Sequence, residues 1–311
     1  MHILGIFAGL ASAVLQSCAY VSSAVFLKRH RGNAKDMLAF TQLVQALWSV
    51  PILIAVAPAE SLLDGAILRS NLYWLAIFTV TQFAMFYAQR TVEPSKIATW
   101  LGLKIGVLAI LTSIWPLNGE VVRSLQWAAI LVTISAAWLL NGSGGLRPGK
   151  RGAMALAFFI VVASLCDREQ VFIMTAFQRS YGIGMFQSAL ATLSLGYVSF
   201  GAIAATYIGV KIARGESVRL AAMKLRDSSP FAFFWFTAMI SIYFCYGELG
   251  PVFGNVVQST RAVISVSVGY LAFRFLRLGV ELPVSPALWL RRLAAAALMT
   301  LGIVAYSLLA R

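Results

Sequence analysis

The sequence is poor in the side chains that bind metals, form disulfides or perform acid–base catalysis. Its 311 residues include two histidines, three cysteines and eleven acidic residues. The histidines, His2 and His30, are isolated, so no metal-ligand spacing is present. Cys18, Cys166 and Cys245 each lie in an apolar run, which indicates small buried side chains rather than a disulfide framework. A membrane enzyme is therefore not indicated, and we expect no cofactor.

Charge is scarce as well. Charged residues make up 12% of the chain and hydrophobic residues 60%, with a mean hydropathy of +0.82. A soluble domain carries roughly 25% charged residues, about twice this share. A bilayer instead requires apolar lipid-facing positions, and each spanning helix needs roughly 20 of them. We therefore predict an all-α polytopic membrane protein with about ten spans and no separate soluble domain.

The apolar runs divide into two groups of five around a polar, glycine-rich linker, Asn141 to Arg151. The first run is too long for a cleaved signal peptide and no lysine or arginine precedes it, so it counts as a retained helix. The ten predicted helices are Ile3–Leu27, Met37–Val56, Leu72–Gln89, Ile97–Leu117 and Leu125–Leu140, then Ala153–Phe177, Met185–Ile208, Pro230–Leu249, Pro251–Leu276 and Leu288–Ala310.

The two halves carry similar features, which indicates an internal duplication of residues 1–145 in residues 146–311. Lys104 lies ten residues after Pro94, and Arg261 lies ten residues after Pro251. A Gly/Glu element follows in each half, at Gly119-Glu120 and at Gly279-Val280-Glu281. An odd number of helices in each repeat gives the two copies opposite orientations, as in the inverted repeats of many secondary transporters.

In the segments Pro94 to Glu120 and Pro251 to Glu281, the sequence resembles the drug/metabolite transporter superfamily in its ten-helix EamA-type form. Each segment consists of a proline, a small and apolar helix, a Gly/Glu element and a final apolar helix. The resemblance implies a helical basket whose central cavity is lined mainly by helices 1, 3, 4, 6, 8 and 9. It also implies alternating access for a small metabolite, which it does not name.

Five charged residues lie deep inside apolar runs: Lys104, Asp167, Arg168, Glu169 and Arg261. A charge at the bilayer centre costs about 2.5–3.5 kcal/mol even on a lenient insertion scale, so these groups must face the protein interior or a wet cavity. Three cations and two anions leave one positive charge, which favours an anionic ligand. Lys104 and Arg261 are the predicted anion-binding residues.

Helical spacing adds neighbours to these two cations. The shared faces, at spacings of three or four residues, are Trp100 with Lys104, Gln258 with Arg261 and Ser265, and Gln16 with Tyr20. Trp100 and Tyr20 could stack on a flat part of the ligand. Asp167, Arg168 and Glu169 are consecutive and fan across roughly 200° of their helix. They cannot all face the cavity, and we assign them counter-ion or proton-coupling roles.

Several functions remain open at this point. The first is secondary transport of a small anionic metabolite. In the second, the same cations hold the phosphate of a flipped lipid. In the third, the chain exports neutral amino acids or drugs, and Lys104 and Arg261 are only paired with Asp167 and Glu169 as structural ion pairs. A non-transporting scaffold does not need buried charges in both halves.

Most of the 25 basic residues lie in the odd-numbered loops; Arg69, Arg123, Arg179 and Arg311 are those in even loops or at the C-terminus. The positive-inside rule then predicts cytoplasmic odd loops and both chain ends outside. Short loops and no targeting extension favour a bacterial cytoplasmic membrane. The net charge of +14 fits attraction to anionic lipid headgroups, and not nucleic-acid binding, because the basic residues are dispersed. The expected partners are the bilayer and a small-molecule substrate, and a homodimer is compatible with this plan.

Overall fold

The computed structural model describes residues 2–90, 92, 97–98, 100–115, 122–141 and 150–276, and nine helical positions between 290 and 305. These residues form an all-α fold without a β-strand, with short 3-10 turns at Ala59–Leu63 and Leu101–Leu103. The helices are α1 His2–Arg29, α2 Ala34–Val56, α3 Gly65–Gln89, α4 Lys104–Ile114, α5 Ser124–Asn141, α6 Lys150–Tyr181, α7 Met185–Ala213, α8 Val218–Leu249, α9 Pro251–Gln258 and α10 Arg261–Leu276.

Polar side chains fix where several helices begin. Asn33 accepts a hydrogen bond from the backbone N–H of Asp36 at the start of α2, and Asp64 accepts from Ala66 and Ile67 at the start of α3. These side chains satisfy backbone donors that have no partner within the helix. The helix boundaries therefore follow from local sequence as well as from hydropathy.

The outer surface is apolar and the interior holds polar groups. On α2, Leu47 and Ile54 are exposed, whereas Gln42 and Gln45 are fully buried. Water would favour the reverse arrangement, and lipid favours this one. Among the described residues, four helices are long and apolar enough to cross a membrane: Ile3–Arg29, Ala34–Val56, Met185–Ala213 and Val218–Leu249. The prediction of an all-α fold with apolar helices of membrane-spanning length is thereby confirmed.

Three helix pairs make the most extensive contacts: α1 with α8, α2 with α7 and α3 with α6. The α2–α7 pair approaches closely at Gly201, where an added Cβ would lie 2.1 Å from the Cβ of Ala46. In addition, α1 contacts α9 and α10, and α4 contacts α6. These contacts bring residues from both halves of the chain to the centre.

Several helices differ from the predicted runs. The predicted helix Ile97–Leu117 contains the 3-10 turn Leu101–Leu103, after which α4 begins at Lys104, and α3 begins at Gly65 rather than Leu72. Helix α8 begins at Val218 rather than at Pro230, because Ser217 caps it and Lys224 on its first turns is buried against Asp36. The predicted helix Pro251–Leu276 is divided into α9 and α10 by a turn at residues 259–260. Pro94, Gly119-Glu120, the linker residues 142–149 and Gly279-Val280-Glu281 lie outside the described residues, as does most of the predicted helix Leu288–Ala310.

Candidate functional site

A central cavity lies among α1, α3, α4, α6, α8, α9 and α10. Six of the residues singled out from the sequence line it: Gln16, Tyr20, Lys104, Asp167, Gln258 and Arg261. They come from five different helices and from both halves of the chain. Their presence in one cavity is a property of the tertiary fold, because the sequence alone related them only within single helices.

Lys104 and Asp167 form an ion pair at the cavity wall. The Lys104 Nζ lies 2.5 Å from the Asp167 Oδ2. The Tyr246 hydroxyl donates to the same oxygen, and the Asn255 Nδ2 lies 3.2 Å from it. Asp167 is therefore held by three donors, and its charge compensates that of Lys104. Lys104 therefore has the arrangement of a structural ion pair, as the hypothesis that the buried cations only pair with acids of the same chain expects.

Arg261 is different. Its side chain is 4% exposed, it donates from Nη1 to the Gln16 Oε1, and its guanidinium carbon lies 5.9 Å from the centre of the Tyr20 ring. Its Nε has no hydrogen-bond partner, and no ion pair joins it to a described carboxylate. A buried cation normally pairs with an acid, because desolvation is costly. The described cavity lining thus carries one uncompensated positive charge.

Both cations begin a helix after a change of backbone geometry. Lys104 is the first residue of α4 and follows the 3-10 turn Leu101–Leu103, and Arg261 is the first residue of α10. In the turn before Arg261, the Thr260 hydroxyl donates to the Val257 carbonyl at 2.9 Å. The backbone N–H groups at the start of α10 donate to the preceding turn, as Ala262 does to the carbonyl of Ser259. The positive charge at these two positions therefore comes from the side chains, and that of Lys104 is compensated by Asp167.

The other four predicted site residues are not among those that line the cavity. Trp100 packs against the main hydrophobic core, and the Arg168 guanidinium lies 5.9 Å from the centre of the Trp115 ring. Glu169 is buried on α6 outside the cavity. Ser265 is buried and donates to the carbonyl of Ala262. Of the three consecutive charges on α6, only Asp167 lines the cavity, as the wide angle between successive helical side chains requires.

Sequence reasoning missed Asn255 and Tyr246, which hold Asp167 in place, as well as the aromatic residues of the cavity lining. The Asn255 Nδ2 lies 2.7 Å from the Tyr246 hydroxyl, and both contact Asp167. A signal existed for Asn255, because an amide three residues before Gln258 on an apolar helix shares its face. Tyr246 gave no signal, since a tyrosine is ordinary in an apolar run.

A second ionic cluster lies outside the cavity and joins α2, α7 and α8; we call it the α2–α7–α8 cluster. Asp36, fully buried, lies 2.7 Å from Lys211 and 2.5 Å from Lys224. Glu216 lies 2.6 Å from Lys211 and 2.8 Å from Lys224. Burial raises the pKa of Glu216, but hydrogen bonds from both lysines outweigh it and leave this pKa below its ordinary value. Two anions and two cations make the cluster neutral.

Comparison with known proteins identifies the fold only. No family model matches the sequence, and no curated protein matches it. A protein of known crystal structure shares the fold with a TM-score of 0.58 over 97% of each chain, at 17% sequence identity. At that identity the likeness concerns backbone architecture, so the resemblance to drug/metabolite transporters remains a prediction.

Proposed function

We propose that this chain is a secondary transporter of a small anionic metabolite, and that Arg261 binds the anion. The observation that supports this most is a buried arginine in a central cavity without a described carboxylate partner. Guanidinium forms paired hydrogen bonds with carboxylate or phosphate, and an unused Nε donor is available for one of them. In this proposal Lys104, which is paired with Asp167, has a structural role in the cavity wall, and Arg261 is the main anion-binding residue.

Alternating access through an inverted repeat is the proposed transport cycle. If α1, α2 and α3 correspond to α6, α7 and α8, the α1–α8 contact is the counterpart of the α3–α6 contact, and α2–α7 pairs equivalent helices. The positions of Lys104 and Arg261 at helix starts correspond in the same way. This pattern is expected of two copies of one fold related by a pseudo-two-fold axis.

The proposed orientation has the α2–α7–α8 cluster on the cytoplasmic side. Arg29 at the end of α1 lies 2.9 Å from Asp227 on α8, and Lys211 at the end of α7 binds Asp36 at the start of α2. These helix ends belong to odd-numbered loops, where the basic residues concentrate. Asp64 and Tyr181, whose side chains lie 2.9 Å apart at the opposite helix ends, are then on the outside.

The test is the thermal stability of the purified protein in detergent with phosphorylated sugars, nucleotides, carboxylates, neutral amino acids and organic cations. A ligand at a hundred times its Kd stabilises a protein by about 2.7 kcal/mol, which is readily measured. We expect stabilisation by one class of anion and its loss in Arg261→Gln. Uptake or exchange of that anion in proteoliposomes then measures transport.

Arg274→Gln is the matched control, because Arg274 lies on the same helix α10 and is exposed. It should respond to anions as the parent does. Stabilisation only by neutral or cationic compounds would contradict the proposal. So would an unchanged anion response in Arg261→Gln. Stabilisation by phospholipids alone would instead favour the flippase hypothesis.

A further inference from the structure

The balance of charge in the cavity distinguishes between classes of anion. Asp167 compensates Lys104, so Arg261 contributes a single net positive charge. One carboxylate neutralises that charge. A phosphate monoester carries about −1.5 to −2 at pH 7 and would leave negative charge buried without a partner. The cavity therefore matches a monoanion better than a phosphate dianion.

The same residues disfavour a zwitterion. An ammonium group needs an anion to compensate its charge, because the unpaired Oε1 atoms of Gln82 and Gln258 in the lining are neutral. Asp167 is the only acidic residue among the described cavity residues, and Lys104 already compensates it. Its Oδ2 already accepts from Lys104, Tyr246 and Asn255. An amino acid bound through its carboxylate to Arg261 would leave its ammonium group desolvated without a counter-ion.

The rest of the lining is suited to an apolar group. Phe78, Phe159, Trp235 and Tyr243 line the cavity from α3, α6 and α8. The Trp235 ring lies 6.1 Å from that of Tyr20, centre to centre, and Tyr20 lies beneath the Arg261 guanidinium. A ring or alkyl chain attached to a carboxylate on Arg261 would therefore contact aromatic surface.

We propose that the ligand class is an amphipathic monocarboxylate, with its carboxylate on Arg261 and an apolar body against the Phe78, Trp235 and Tyr243 rings. This inference rests on the proposed function, because it specifies the anion that the same cavity takes. It separates organic acids with one carboxylate from sugar phosphates, nucleotides and amino acids.

Ligands with one body and different head groups test the inference. The probes are 3-phenylpropionate, phenyl phosphate, phenylalanine and phenethylamine, with acetate as the carboxylate without a body. Affinities come from calorimetric titration of the purified protein in detergent. We expect 3-phenylpropionate to bind at least ~10-fold more tightly than phenyl phosphate or phenylalanine. Phenyl phosphate would bury an uncompensated negative charge, and phenylalanine an uncompensated ammonium group. Acetate should be weaker by a similar factor, since it buries little apolar surface.

Asp167→Asn provides a second test, because it raises the uncompensated charge from one to two. In this variant, the preference should move toward phenyl phosphate. The double variant Lys104→Gln, Asp167→Asn removes both charges of the pair, returns the cavity to one positive charge and should restore the preference for 3-phenylpropionate. A selectivity that depends on charge number in this way does not arise from general destabilisation, which affects both variants.

The outcomes separate this inference from the proposed function. Tighter binding of phenyl phosphate than of 3-phenylpropionate to the parent protein would overturn the monocarboxylate inference and leave an anion transporter. Equal binding of acetate and 3-phenylpropionate would also overturn it, because the body would then contribute nothing. Binding of phenethylamine or phenylalanine without binding of any anion would overturn both.

Discussion

The central cavity and the α2–α7–α8 cluster contain similar buried groups with different charge balances. In the α2–α7–α8 cluster, Asp36 and Glu216 meet Lys211 and Lys224, and each charge contacts two opposite ones. In the cavity, Asp167 meets Lys104, and the described groups in contact with Arg261 are the neutral Gln16 and Tyr20. Charge is thus balanced in the α2–α7–α8 cluster, whereas the described residues of the cavity carry one net positive charge.

This difference teaches how buried charges divide between structural and binding roles. Burial alone does not separate them, since Lys104, Lys224 and Arg261 are all less than one tenth exposed. The partner of each charge does. An ion pair that is complete within the protein connects helices, and we propose that a cation without a described acid binds a ligand.

The largest expected effect is on the balanced cluster. Asp36→Asn leaves Lys211 and Lys224 with only Glu216 between them, so a buried cation loses its counter-ion. We expect the free energy of unfolding in detergent to fall by about 3 kcal/mol, with anion binding unchanged in the protein that remains folded. Glu60→Gln, an exposed acid in the 3-10 turn Ala59–Leu63, is the control and should be neutral. If Asp36→Asn left the free energy of unfolding unchanged, the cluster would not stabilise the fold.

Gly201→Ala tests the close α2–α7 contact on which that cluster depends. The new Cβ would overlap the Cβ of Ala46 at 2.1 Å, so the helices must separate. We expect a loss of about 2 kcal/mol in unfolding free energy from overpacking. Gly209→Ala on the same helix meets nothing within 4 Å and should gain up to about 1 kcal/mol from helix propensity. Equal effects of the two substitutions would show that packing at Gly201 is unimportant.

Gln16→Glu would give the cavity the balance that the other cluster has. The new carboxylate replaces an amide oxygen that already accepts from Arg261. We expect unfolding free energy to rise by about 1 kcal/mol, because the hydrogen bond becomes charge-assisted. Anion binding should be lost, since the cation is compensated within the chain.

The control for that variant is Gln45→Glu. Gln45 is fully buried and donates to the carbonyl of Ala232, without a cation at its amide. The same substitution there should lower stability, because it buries an unpaired charge. If Gln16→Glu lowered stability as much as Gln45→Glu does, the positive charge of Arg261 would already be compensated in the parent protein, contrary to our proposal.

The smallest effect concerns pH. The pKa of Glu216 is lowered in the folded protein, so its ionised form contributes stability at neutral pH. That contribution is retained above the ordinary glutamate pKa and is lost as pH falls through the lowered folded value. Unfolding midpoints from neutral to acidic pH should therefore decrease less steeply in Glu216→Gln than in the parent. Parallel pH profiles would contradict this assignment.

The sequence predicted the cationic residues of the cavity better than their partners. Lys104 and Arg261 were found because a charge in an apolar run has to face the interior. Their different environments could not be derived, because Asp167 and Gln16 approach them from distant helices. The turn at residues 259–260 was also hidden, since serine and threonine do not interrupt a helix by propensity alone. The first turns of α8 have the sequence of a basic loop. Their helical structure could not be predicted, because Asp36, the buried partner of Lys224, lies far away in sequence.

Cys166 has a practical consequence. The chain contains three cysteines, all with free thiols, and Cys166 is the one that lines the cavity. With Cys18 and Cys245 replaced by serine or alanine, the protein has a single native thiol, in the wall of the central cavity. A membrane-impermeant alkylating reagent added to one face of a sealed vesicle would then record which face the cavity opens toward, and how often.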